Sequence, residues 1–139
     1  MSEMNDFNTQ IIEEFRANAG KVGGGFAGAP MILIHHRGAR TGTERVSPLV
    51  YQPVGDNFAD FGSKGGAPTA PAWYRNLLAN PEIEVEVGTD TIPVRARELK
   101  GDERAPIWEK QKKLMPGFAE YEEKTKGIRD IPVVLLERR

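Results

Sequence analysis

Four consecutive residues, Ser63-Lys64-Gly65-Gly66, combine a hydroxyl, a cation and two positions without a Cβ. Successive glycines let backbone N–H groups turn toward an anion or a ring carbonyl, and Lys64 places positive charge beside them. Two prolines follow, Pro68 and Pro71, and then Trp73 and Tyr74 open a short helical stretch that stops at Asn80-Pro81. Bare amides, a cation and a flat apolar surface suit a planar ligand with an anionic tail. An ordinary Gly-Gly turn with an exposed lysine, and an aromatic pair buried in the core, account for the same residues without any ligand. The spacing is not that of a phosphate-binding Walker loop, so nucleotide hydrolysis is not supported.

Upstream, Arg37, Arg40 and Arg45 crowd a turn that contains Gly38 and Gly42, with Thr41 and Thr43 adding hydroxyls. This is either a solvated hairpin turn or a clamp for phosphate or carboxylate, which guanidinium groups bind through paired N–H donors. From His35 to Arg75 there are five Lys or Arg against three acids, within a chain of net charge −1. Such a local excess fits a small anion and argues against a nucleic-acid partner. Asn76 can serve a ligand or the backbone, and the structural use is the one favoured. Met115, Phe118 and Tyr121 recur at three-residue steps after a Met-Pro-Gly break. They read as a packing stripe or as the apolar wall of a substrate pocket, with the Tyr121 hydroxyl as a proton donor. His35 and His36 are adjacent on a strand and face opposite sides, so they do not share a metal, and no metal site is expected. No Ser/His/Asp grouping or pair of catalytic carboxylates stands out. A redox cofactor that brings its own reactive atom explains that absence and points to a cofactor-binding oxidoreductase.

The elements that position these residues are predominantly antiparallel strands. The 139 residues fit a single domain, 1–139, with an N-terminal helix and a flexible glycine-rich loop over 1–25. Residues 1–5 are expected to fray. Asp6 is expected to cap a helix over 7–18 whose apolar face is Phe7, Ile11, Ile12 and Phe15. Strands are predicted over 31–36, 45–52 and 58–62, with Pro48 marking an edge or a bulge. A helix over 69–79 carries Pro71 in its first turn. Residues 82–87 alternate Glu with Ile or Val, a strand with one wet face, and a strand over 91–99 follows. Asp102 is expected to cap a helix to 114, and a helix over 118–126 and a strand over 131–137 complete the chain. Without a strand–helix alternation or a dinucleotide fingerprint, a Rossmann fold is disfavoured. A small, partly closed antiparallel β-barrel with flanking helices fits best. No cysteine is present, so disulfides and thiolate metal sites are excluded. No signal peptide or membrane-length apolar run is found, and a cytoplasmic location is the expectation. If the N-terminal apolar face is left open, it offers peripheral membrane contact.

With these residues in view, the chain resembles the deazaflavin-dependent nitroreductase family, the coenzyme F420-dependent reductases of actinobacteria. The similarity runs through Phe26-Ala27-Gly28-Ala29-Pro30, the turn from Gly38 to Gly42, Arg45-Val46-Ser47-Pro48-Leu49, Ser63-Lys64-Gly65-Gly66, the Pro71, Trp73, Tyr74, Asn76 and Leu77 set, and Ile131-Pro132-Val133-Val134. It implies a split β-barrel, mainly β with α, shared with FMN-dependent pyridoxamine phosphate oxidases. It implies bound F420, with FMN as the alternative, and a quinone or activated enone as small-molecule hydride acceptor. By the same resemblance Arg40, Thr41 and Arg45 hold the phosphate or tail. Pro48, Ser63, Lys64, Gly65, Trp73 and Asn76 surround the deazaflavin, Met115, Phe118 and Tyr121 line the substrate pocket, and Tyr121 or Ser63 supplies the proton. Nitroimidazole-activating members carry tyrosines at the positions of Met115 and Phe118, which implies weak activation of such prodrugs here. The lack of a clear acid/base set leaves a non-catalytic F420 carrier as the alternative, and since barrels of this type commonly pair, a homodimer is a further expectation.

Overall fold

The computed structural model describes residues 3–23 and 28–139, with side chains from residue 8 onward. Seven strands and four helices follow one another as α1 (Glu3–Ala17), β1 (Met31–Arg37), β2 (Glu44–Val50), β3 (Gln52–Val54), β4 (Asn57–Phe61), α2 (Ala72–Ala79), β5 (Glu82–Val87), β6 (Asp90–Leu99), α3 (Gly101–Leu114), α4 (Gly117–Thr125) and β7 (Val133–Arg138). The strands form one antiparallel sheet in the order β2-β1-β5-β6-β7-β4-β3.

That order forces the sheet to curl. β2 and β3 are its two edges, yet Tyr51 alone separates them in the chain. Laid flat, six inter-strand steps would hold them about 29 Å apart, whereas one residue spans about 3.5 Å. The sheet therefore bends into a half-barrel with its seam at Tyr51, the partly closed antiparallel barrel expected from the sequence. The strand expected over 45–52 is accordingly two strands. Pro48 sits on β2, a true edge, where its missing N–H costs no ladder bond.

The curl has an inside and an outside, and the alternation of each strand sorts residues between them. Ile32, Ile34, Phe58, Ile83, Val85, Val94, Val134 and Leu136 meet inside the curl, where Trp73 and Leu77 of α2 plug it. On the outside, Ala59, Phe61, Val133 and Leu135 are covered by Trp108 and Phe118 from α3 and α4. β1 is apolar on both faces because its outer residues, Met31 and Leu33, are covered by Ile11 and Phe15 of α1. Burial of a side chain such as Phe15 contributes about 2–3 kcal/mol. Ile11 and Phe15 are thus core, so the face offered for membrane contact is not free; the Phe7 side chain lies outside the described residues. Arg16 also ties α1 to the sheet, meeting Glu86 at 3.1 and 2.7 Å, and His35 reaches the same carboxylate at 2.7 Å. Arg16 first and His35 second hold the Glu86 carboxyl below its ordinary range despite partial burial.

Several element ends differ from expectation. α1 begins at Glu3, so Asp6 lies within it and residues 3–5 are helical. Asp102 likewise falls in the first turn of α3, which Lys100 precedes in extended conformation. There its charge favours the helix dipole without being the cap. Pro71 precedes α2 in extended conformation, so the helix opens three residues later than the sequence indicates. Gly24, Gly25 and Phe26 of the glycine-rich loop lie outside the described residues. No helix among the described residues is long and apolar enough to cross a membrane.

Candidate functional site

The turn between β1 and β2 is a built loop. Gly38 N–H donates to Thr43 O at 2.9 Å, and Gly42 N–H to Gly38 O at 2.9 Å. Asn76 of α2 fixes it from below, its Oδ1 accepting from Ala39 N–H at 3.0 Å. The same side chain donates through Nδ2 to His36 Nδ1 at 2.8 Å, and His36 Nε2 donates to Ser47 Oγ at 2.8 Å. His36 is thereby held neutral with its proton on Nε2. Burial is the main cause of a pKa lowered to about 4, and the charges of Arg45 and His35 act in the same direction. Above this network lies a groove of about 730 Å³ lined by Gly38, Ala39, Arg40, Thr41, Arg45, Ala72, Arg75 and Asn76. Arg40 and Arg45 enter it with no ion pair among the described residues.

The second half of the site leaves β4 at Phe61. Ser63 O accepts from Gly66 N–H at 2.9 Å, and the chain makes a single 3-10 turn, Lys64–Gly66. Lys64 adopts φ +48°, a left-handed conformation that costs a non-glycine residue about 1 kcal/mol or more. Arg129 sustains it. Its guanidinium donates to Ala67 O at 3.0 Å, Gly62 O at 3.1 Å and Ser63 O at 2.9 Å, as well as to Asp130 O at 3.3 Å. Those donors are spent on backbone carbonyls, and burial lowers the pKa of the group. α4 closes the other side: a Cβ on Gly66, itself at φ +84°, would stand 2.8 Å from Lys124 Cδ and 3.4 Å from Tyr121 Cα. Ser63 is buried while Lys64 is exposed. Neither the Ser63 hydroxyl nor the Lys64 ammonium has a partner among the described residues. The start of α2 joins the two halves, since Pro71 packs beside Gly62 and Ala72 lines the groove.

An apolar cleft of about 380 Å³ lies between the barrel seam and the end of α3, bounded by Pro30, Val50, Tyr51, Pro53, Leu114 and Met115 among others. Gln111 sits under it, accepting from Gln52 Nε2 at 3.2 Å and contacting Met115 Sδ at 3.6 Å. Met115 and Tyr121 both pack against the cluster that holds Phe118, as the packing-stripe reading has it. Met115 faces the cleft, but Phe118 is a core residue, with ring centroids 5.7 Å from Phe61, 6.1 Å from Trp108 and 5.3 Å from Tyr121. Tyr121 is half-buried between Phe118 and the Lys64 turn.

The structure brings Arg40, Thr41, Arg45 and Asn76 to one groove, and Ser63, Lys64 and Gly65 to one turn. It places Trp73 in the core beneath them, 7% exposed, and Pro48 on the edge strand opposite Leu33. Asn76 is spent on Ala39 and His36, the structural use the sequence favours. Arg129 and His36 join the site only through the fold, His36 as a neutral partner of Asn76 and not as a metal ligand. An arginine in a Gly-Ile-Arg-Asp turn carries no local sign that it reaches a loop more than sixty residues earlier.

Comparison with known proteins gives a consistent result. The sequence profile of the F420H(2)-dependent quinone reductase family matches residues 8–138. An F420H(2)-dependent quinone reductase of Mycobacterium tuberculosis is 36% identical over 129 residues, covering 90% of this chain and 85% of its own. Among solved structures, an F420-H2 dependent reductase, FDR-A, superposes with TM-score 0.70 at 39% identity, covering 78% of this chain and 94% of that one. A chain solved as a domain-swapped dimer superposes with TM-score 0.72 at 35% identity and 96% coverage of both.

Proposed function

This chain belongs to the F420H(2)-dependent quinone reductase family, and on that premise we propose that it binds coenzyme F420 and passes a hydride from its reduced form to a quinone or an activated enone. The observation that carries the proposal is the groove in which Arg40 and Arg45 stand without acidic partners among the described residues, joined through the start of α2 to the strained Lys64 turn. Unpaired guanidinium groups and a cation beside bare amides fit an anionic tail, and the adjoining apolar surfaces fit a planar ring.

When bound, the deazaflavin supplies the two electrons and the hydrogen of the reaction. The chain's own residues do the rest. Arg40, Thr41 and Arg45 take the phosphate or tail. Ser63, Lys64 and Gly65 present the hydroxyl, cation and backbone that orient the ring, and Pro48 bounds it. Trp73 and Asn76 act from beneath, one by packing and the other by fixing the turn at Ala39. Met115 and the cleft around it receive an apolar acceptor and exclude water from it. Ser63 opens the Lys64 turn and Tyr121 packs against it, so either hydroxyl, or water, is a candidate for the proton that follows the hydride. Residues 1–139 are taken as one cofactor-binding domain. One relative was solved as a domain-swapped dimer, and we extend the proposal to a homodimer, which sedimentation velocity measures.

Titrating the purified chain with oxidised F420, following cofactor fluorescence with FMN as competitor, tests the reading. Saturable binding that FMN does not displace, followed by oxidation of F420H2 on addition of menadione, is the expected result. Failure to bind, or displacement by FMN, overturns the cofactor assignment. Tight binding with no turnover across quinones and enones replaces the reductase by a carrier.

A further inference from the structure

β4 carries a carboxylic acid where the half-barrel offers only a core position. Asp60 is fully buried, and neither of its oxygens has a hydrogen-bond partner among the described residues. Along β4 it lies on the same face as Phe58, the face turned into the curl, and its partner on β7 is Val134. An isolated ionised carboxylate there would cost several kcal/mol or more, so the group protonates instead. Burial pushes its pKa well up. A core position of this kind gains stability from any apolar residue of similar size, so folding does not explain the acid.

Its neighbour across the strand suggests what does. β3 and β4 pair Val54 with Asn57, Pro53 with Phe58 and Gln52 with Ala59. One step further, the register sets Tyr51 opposite Asp60, on the same face. The Tyr51 ring meets Phe58 edge-on, centroids 5.4 Å apart. Burial first and the charge of Asp60 second raise the pKa of Tyr51. Tyr51 is the seam residue, and it lines the apolar cleft with Met115. Its hydroxyl has no partner among the described residues. On the same face, Val134 of β7 separates Asp60 from Glu98 of β6, which is engaged by the Tyr74 hydroxyl at 2.6 Å, so Tyr51 is the titratable group next to Asp60 in the register.

We propose that Asp60 is a buried acid that resupplies, through the Tyr51 hydroxyl, the proton taken up when an acceptor is reduced in the cleft. The proposal rests on the function proposed above and names a proton source distinct from Tyr121 and Ser63. A reduced deazaflavin is the hydride donor. As hydride adds to a quinone or enone, the acceptor oxygen gains the electron pair of its C=O bond and takes H⁺ from the Tyr51 hydroxyl. Tyr51 regains a proton from Asp60, by rotation of the hydroxyl or through one water, and solvent reprotonates Asp60 between turnovers. Two electrons and two hydrogens reach the acceptor, one as hydride and one as proton. The low-dielectric position keeps the acid protonated at neutral pH, as a proton store requires.

Infrared difference spectroscopy of the cofactor-free chain is the first test. At pH 7 a protonated-carboxyl C=O band is expected, lost in Asp60→Asn and shifted in Tyr51→Phe. A spectrum in which Asp60 is ionised at pH 7 overturns the proposal. The second test is the pH profile of menadione reduction by F420H2. Asp60→Asn and Tyr51→Phe should each lower kcat roughly 100-fold at the alkaline end, with F420 affinity within twofold of wild type and the double variant no worse than either single one. Asp60→Leu, which restores an apolar core, is expected to melt no lower than wild type and to show the same kinetic loss. Wild-type rates and an unchanged pH profile in Asp60→Asn or Asp60→Leu overturn this proposal alone. Absence of F420 binding by the wild type overturns the function proposed above, and this proposal with it.

Discussion

Two sets of basic side chains on this molecule differ in what they are attached to. On β6 and α3 three cations are matched: Arg95 with Glu82 at 3.1 Å, Arg97 with Glu103 and Glu137 at 3.0 Å each, and Lys112 with Glu109 at 2.8 Å and Glu122 at 3.0 Å. At the groove, Arg40, Arg45 and Lys64 have no acidic partner among the described residues. The matched set shields its own charge and adds little to stability, because exposed pairs contribute at most about 1 kcal/mol each. In the unmatched set Arg40 and Arg45 line one groove, where like charges repel and no acid among the described residues relieves them. Other arginines without an ion pair among the described residues, such as Arg104, Arg129 and Arg138, spend donors on backbone carbonyls, whereas Arg40 and Arg45 border the groove with neither kind of partner, and that presents them to a ligand.

The largest effect should come from the bare set. Arg40→Ala with Arg45→Ala removes two charge-assisted clamps, each worth about 1.5–3 kcal/mol, so F420 affinity should fall at least about 100-fold in a fluorescence titration. The melting temperature should hold or rise, since self-repulsion is relieved. Affinity should also drop steeply with ionic strength in the wild type and shallowly in the variant. A double variant that binds normally, or one that unfolds, breaks the contrast.

Next is the support beneath the groove. Asn76→Ala strands Ala39 N–H and frees the His36 ring, costing about 2 kcal/mol by chemical denaturation. The neutral, buried His36 adds a pH dependence whose sign is fixed. Its folded pKa of about 4 lies below the unfolded value of 6.5, so between them the unfolded chain binds more protons. The stability that His36 contributes is present above pH 6.5 and is lost as pH falls toward 4. Replacing His36 by Gln should flatten that slope; an unchanged slope assigns it elsewhere.

Arg129 comes third, and it sharpens the comparison because it too lacks an acidic partner among the described residues yet is not bare. Its donors are consumed by the carbonyls of Gly62, Ser63 and Ala67. Arg129→Gln should release the Lys64 turn, raise its hydrogen exchange and weaken F420 about tenfold, or ~1.4 kcal/mol. Arg129→Lys should rescue poorly, because an ammonium cannot reproduce a planar fork. Full rescue by lysine would mean that charge, not geometry, is what Arg129 supplies.

Local pattern carried much of this architecture and little of its long-range wiring. The alternation of Glu with Ile and Val over 82–87 sets both faces of β5, and Pro48 announces an edge. Residues 45–52 are uniformly strand-prone, with no turn residue at Tyr51, so nothing local marks the break. It arises because the sheet must close. Among site residues, Arg40 and Arg45 are legible because they crowd a glycine-bearing turn. Phe118 is not, since helical spacing groups it with Met115 and Tyr121 without saying which way it faces. Arg129 acquires meaning only from the Ser63 loop far along the chain, and Asp60 only from the strand register that buries it inside the curl.

The smallest effect belongs to the matched set, and it is the control for everything above. Glu103 first and Glu137 second raise the pKa of Arg97, so the guanidinium stays charged throughout the accessible range. All three groups are exposed, however, and water already screens them. Arg97→Ala should therefore shift the melting temperature by less than about 2 °C at low salt, and by less again at high salt. F420 affinity should not change. If it falls as far as in the groove variant, the distinction between paired and bare cations fails, because the ligand would be sensing net charge rather than the three side chains left open to it.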